Sequence, residues 1–100
     1  MELTRKQRRY LAREAHHLDP VVMIGRAGAT SAVTKAVSEA LEHHELIKVK
    51  FQRFKDEKRS VAEAVAAETD SVLVQIVGNI AVLYRRQQNP ERRRISLPQE

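Results

Sequence analysis

One hundred residues with a net charge of +5, 42% apolar side chains and no cysteine fit a single globular domain and exclude a disulfide framework, a zinc–thiolate site or a cysteine nucleophile. The chain opens on charged residues, MELTRKQRRY, and holds no run approaching the about 18 apolar residues of a membrane span, so a cytoplasmic protein with no membrane partner is expected. The positive excess lies at the ends: residues 1–18 and 84–100 each carry five basic against two acidic side chains, and the middle carries eight against nine, which points to a polyanionic partner such as nucleic acid.

The first element is a helix announced by Thr4 and Gln7 at capping-box spacing. Leu11, Ala15 and Leu18 form its apolar stripe, with Tyr10 beside them, and Arg5, Arg9 and Arg13 stack four apart on the opposite side. Asp19-Pro20 stops it. Val21–Ile24 is a short apolar run that reads as a buried strand. Thr30 or Ser31 caps a second helix with Val33, Ala36, Val37, Ala40 and Leu41 on its inner side. Leu46–Arg53 alternates, with Ile47, Val49 and Phe51 facing in and Lys48, Lys50 and Gln52 facing out, a strand with one wet face. Asp56 is placed to cap a third helix, whose stripe includes Val61, Ala62, Val65 and Ala66. Val72–Val77 and Ile80–Tyr84 flank Gly78-Asn79 as a hairpin with a turn that tolerates positive φ. Past Arg86 the pattern dissolves into QQNPERRR. Residues 87–100 therefore read as a basic, flexible tail on a domain of residues 1–86, with Ile95, Leu97 and Pro98 the residues able to dock it.

The order α-β-α-β-α-β-β predicts an α/β protein of two-layer, α+β-like character: a four-stranded mixed sheet with helices over one face. Val72–Val77 is apolar on both sides, so the first helix or the tail is expected to cover part of the second face.

Two of the three glycines stand in Gly25-Arg26-Ala27-Gly28, between the first strand and the second helix. Glycine lets a phosphate approach the backbone closely. A helix start offers unpaired amides and a partial positive charge, and Arg26 adds a bidentate cation. The arrangement matches a GXXG loop that clamps a nucleotide backbone. A tight turn with no ligand has the same string. A dinucleotide fingerprint would need a third glycine at GxGxxG spacing and a P-loop would need Gly-Lys-Ser/Thr; neither stands here.

Other candidate chemistry is weak. His16-His17 and His43-His44 are neighbours that do not share a helix face, so neither pair makes a metal site. Glu39, Glu42 and Glu45 read as a solvated helix face rather than an acid–base pair. No enzyme, metal, cofactor or small-molecule substrate is expected. Aromatics are limited to Tyr10, Phe51, Phe54 and Tyr84, too few for the stacking surface of an RRM domain; backbone and shape recognition fits better.

Taken in order, LTRKQRRYLA, VVMIGRAGAT, HELIKVKF and VQIVGNIAVLYR resemble the CRM domain (chloroplast RNA splicing and ribosome maturation), in particular its stand-alone bacterial members, over about Leu3 to Tyr84. The resemblance implies an RNA-binding fold like the C-terminal domain of bacterial translation initiation factor three, and association with precursors of the large ribosomal subunit. Carried over by position, Gly25, Arg26, Ala27 and Gly28 would form the RNA-contacting loop. Arg5, Arg9, Arg13, Lys48, Lys50, Arg85 and Arg86 would supply the basic surface around it. The expectation is a non-catalytic protein that binds ribosomal RNA and assists large-subunit assembly. The alternative is a protein-interaction module that docks on an acidic partner.

Overall fold

Thr4 caps helix α1 (Arg5–Ala15) as its spacing requires: its hydroxyl accepts from the Gln7 amide while the Gln7 side chain accepts from the Thr4 amide, both at 3.0 Å. In the computed structural model, which describes residues 1–99, there follow β1 (Val22–Ile24), α2 (Ser31–His44), β2 (Leu46–Phe51), α3 (Lys58–Glu68), β3 (Val72–Val77), β4 (Ile80–Tyr84) and a 3₁₀ turn over Pro90–Arg92. Thr30 caps α2 by accepting from the Val33 amide. Three expectations shift. α1 ends at Ala15, capped at His16, short of Leu18 and of the Asp19-Pro20 stop. The cap position of α3 falls to Glu57, with no side-chain hydrogen bond, rather than to Asp56. And β2 ends at Phe51, because the Gln52 and Arg53 amides both turn to the Ile24 carbonyl (3.0 and 3.3 Å).

The sheet order is β1-β2-β4-β3. β1 and β2 are parallel, and β4 runs antiparallel to both of its neighbours. The two helical crossovers keep β1, β2 and β3 pointing one way, and the tight hairpin slots β4 between the last two. Gly78 takes the positive φ, 58°, at the first turn position, as a type II′ turn requires.

The helices do not all share one face. α2 and α3 bury Val37, Leu41, Ala62, Val65 and Ala66 against Ile47, Val49, Phe51, Ala81 and Leu83. α1 lies on the other face, with Leu11 and Ala15 packed on Leu46, Val74, Val82 and Tyr84. Alternation along β4 feeds the two cores in turn, Ala81 and Leu83 to one, Val82 and Tyr84 to the other. The arrangement is three-layered where α1 lies, which accounts for the doubly apolar third strand.

Nor is the segment beyond Arg86 free. Ile95 and Leu97 pack on the α1-side core, Gln87 is buried, and the Gln7 side chain donates to the Pro98 carbonyl at 2.8 Å. The anchor is Glu45, expected on a solvated face and in fact 1% exposed. It ends α2 at φ 64°, which turns its side chain under the tail. There the carboxylate accepts from the amides of Gln87 (2.9 Å), Arg94 (2.5 Å) and Ile95 (3.1 Å). Apolar periodicity does not reveal such a tail, because backbone donors and two isolated side chains hold it.

Candidate nucleic-acid interface

Local hydrogen bonds shape the Gly25–Gly28 loop. The Gly28 amide donates to the Gly25 carbonyl at 3.0 Å, closing a turn that leaves Arg26 and Ala27 exposed. The Thr30 amide then donates to the Gly28 carbonyl, at 3.0 Å, and α2 begins. Among the described residues, the Arg26 and Ala27 amides have no internal acceptor. Unpaired donors next to a helix start form an anion-accepting surface.

The two glycines have different reasons to be glycine. Gly28 sits at φ 76°, and a β-carbon there would stand 3.4 Å from the Phe54 ring. The backbone conformation is what favours glycine there; the ring is close but at ordinary contact distance. Gly25 has no such neighbour: a β-carbon would meet only the Gln52 side-chain oxygen, at 3.9 Å. The space above Gly25 is therefore open to a ligand.

The register sorts the basic residues. Ile24, next to the loop, pairs with Phe51 at the far end of β2, and Met23 pairs with Lys50. Lys50 in turn pairs with Ile80 and Lys48 with Val82, which puts both lysines on the α1 side of the sheet. Lys50 is exposed, and the Lys48 ammonium donates to the His16 carbonyl at the end of α1 (3.2 Å). Ala12 and His16 border the same shallow hollow as Lys48, Val77 and Ile80. The exposed row Arg5, Arg9 and Arg13 adjoins Ala12 and His16 on the helix surface, at i,i+3 spacing. So α1's arginine row, Lys48 and Lys50 lie on the α1 face of the sheet, with Lys50 paired to Met23 just before the loop, and none of these cations has a carboxylate partner among the described residues.

Arg85 and Arg86 stand elsewhere. Tyr84 pairs with Leu46, at the opposite end of β2, about 16 Å from the loop at the rise of a strand. Arg85 is also occupied: it donates to the Ser38 hydroxyl (3.0 Å), the Ser38 carbonyl (2.8 Å) and the Thr69 carbonyl (2.8 Å), and pairs with Glu42 at 3.5 Å. Arg86 is exposed. Arg8 has a different task again, donating to the Leu73 and Val74 carbonyls at 2.7 and 2.6 Å.

One side chain that the sequence offers only as one of four scarce aromatics stands against the loop: Phe54, whose ring lies 3.4 Å from where a Gly28 β-carbon would be, and which is exposed between exposed Arg53 and Lys55. Phe54 reaches it because the Arg53 amide bonds the Ile24 carbonyl, a contact between distant segments with no local signal.

Residues 3–85 match the model of the CRS1 / YhbY (CRM) domain. The chain is 43% identical over 97 residues to a Bacillus subtilis protein named "Probable RNA-binding protein YqeI", covering 96% of this chain and 99% of that one. It is 42% identical over 99 residues to a Haemophilus influenzae protein named "RNA-binding protein", covering 98% and 97%. The solution structure of SAV1595 from Staphylococcus aureus superposes with a TM-score of 0.80 at 41% identity, covering 97% of this chain and 100% of that one.

Proposed function

We propose that this chain, which belongs to the CRS1 / YhbY (CRM) domain family, is a non-catalytic RNA-binding protein that clamps an RNA backbone on its Gly25–Gly28 loop. The observation that carries the reading is Gly25. The fold leaves room for a side chain there, yet the residue is glycine, beside unpaired amides and exposed Arg26. A phosphate fills that space with its oxygens on the loop amides and the Arg26 fork. Arg5, Arg9, Arg13, Lys48 and Lys50 then supply attraction along the neighbouring face. The names of the relatives support RNA as the polyanion. Cytoplasmic ribosomal RNA, in precursors of the large ribosomal subunit, is the target that the family resemblance supports, and assistance in assembly of that subunit the role.

The test is Gly25→Asp together with Arg26→Glu, titrated against ribosomal RNA fragments at several salt concentrations. The pair places two negative charges where the phosphate sits and leaves the Phe54 contact of Gly28 intact. Binding should be lost while the fold, read by circular dichroism, is kept. The parent should lose affinity steeply with salt, and Arg9→Glu with Arg13→Glu should make the slope shallower by roughly two, about one for each phosphate contact. A folded loop variant that binds like the parent overturns the clamp. Co-purifying complexes that survive RNase would instead favour an acidic protein partner.

A further inference from the structure

We infer that Phe54 is a stacking platform for one unpaired nucleobase of the RNA held on the loop; this rests on the loop reading above. Phe51 and Tyr84 are each 1% exposed, whereas Phe54 is 41% exposed. Its φ is 59°, an outlying conformation for a bulky residue with a cost on the order of 1 kcal/mol or more. The surroundings over-determine it. The Gln52 and Arg53 amides are fixed on the Ile24 carbonyl, and the Phe54 carbonyl accepts from the Glu57 amide at 3.1 Å. The effect is to set the ring within van der Waals reach of Gly28 while much of it stays in solvent.

That is where a base would arrive. A phosphate on the Gly25–Gly28 amides has its base one sugar away, and the ring is the aromatic surface at that edge of the loop. Arg53 and Lys55 flank Phe54 in the chain, Arg26 stands in the loop, and all three are exposed, so the cations near the ring draw the RNA's backbone to the same spot. Every base has a π face, so one platform beside a backbone clamp grips an unpaired nucleotide without reading its sequence. It also makes the clamp favour RNA with an unstacked nucleotide, in a loop or bulge, over uninterrupted duplex.

The experiment uses a stem–loop RNA and the same stem with an abasic loop, titrated against the parent, Phe54→Leu and Phe54→Trp. Leucine keeps apolar contact with Gly28 and removes the π face. The parent should prefer the intact loop by about 5- to 150-fold, the range of one base–aromatic stack, and Phe54→Leu should lose that preference with its salt slope unchanged. The chain has no tryptophan, so Phe54→Trp reports alone, and its emission should be quenched by the intact loop and not by the abasic one. A Phe54→Leu variant that keeps the full preference, or emission indifferent to the intact loop, overturns the platform. Should Phe54→Leu fail to fold, the tryptophan emission decides. Failure of the loop reading itself shows separately, as undiminished binding by Gly25→Asp with Arg26→Glu.

Discussion

Replacing Glu45 with alanine removes three hydrogen bonds at once, to the amides of Gln87, Arg94 and Ile95. The Gln87 amide is buried, and a buried donor left unpaired costs about 1–3 kcal/mol. The other two amides are part-buried and recover water only if the tail lifts. Lifting it uncovers Ile95 and Leu97, at most about 1 kcal/mol each for half-buried side chains. Alanine at φ 64° keeps the backbone strain and so does not offset the loss. The sum spans about 1–5 kcal/mol, and a chain of this size loses roughly 4–8 °C of Tm per kcal/mol, so at the middle of that range, about 3 kcal/mol, Tm should fall by roughly 12–24 °C. Glu45→Gly, which relieves the strain, should lose less by about 1 kcal/mol. Thermal melts and amide exchange at Arg94 and Ile95 measure both effects. Truncation after Arg86 should destabilise for the same reason, and combining it with Glu45→Ala should cost far less than the two separate losses added together. A Glu45→Ala chain that melts within a few degrees of the parent, with Arg94 and Ile95 as protected as before, would refute the anchor.

Gly28→Ala should destabilise by about 1–2 kcal/mol, from its positive φ, while Gly25→Ala should melt within about 0.5 kcal/mol of the parent and still bind RNA more weakly; urea melts beside RNA titrations check the contrast. Arg85→Ala should cost about 2–3 kcal/mol through its bonds to Ser38 and Thr69, with RNA affinity unchanged at a temperature where the variant is folded. Burial first, and the Glu45 charge second, push the Tyr84 hydroxyl above its ordinary value of 10.0. The folded chain therefore holds that proton longer than the unfolded one, so stability is full below about pH 10 and falls as pH rises beyond it; urea midpoints measured across that range should fall less steeply in Tyr84→Phe.

Every helix and strand was legible along the chain, since the signals that set them are local. Thr4 with Gln7, Thr30 and the alternation of β2 each act within a few residues. The loop was legible because two scarce glycines stand at a strand-to-helix junction. What stayed hidden depends on partners far along the sequence. Glu45 looks like any helix-end carboxylate until the tail returns 42 residues later to meet it. Arg85 and Arg86 are equivalent in a string of letters, yet Arg85 faces Ser38 and Thr69 while Arg86 faces solvent. Phe54 carries no sign of its place beside Gly28, which the Ile24 carbonyl sets from the other side of α2.

The grip of Arg8 on the Leu73 and Val74 carbonyls bears on a hazard unrelated to RNA. β3 is the last strand of the sheet, and an outer strand offers its unpaired carbonyls and amides to any other chain that arrives. The register slips between Leu73 and Gln75, and a bulge bends a strand out of the flat form that templates addition. Arg8 fills two acceptors at that irregularity and sets a cation on the rim, so a second molecule meets a charged, crooked border rather than a straight row of acceptors. Arg8→Ala should therefore leave concentrated solutions of the protein more prone to strand addition at β3, which light scattering would register.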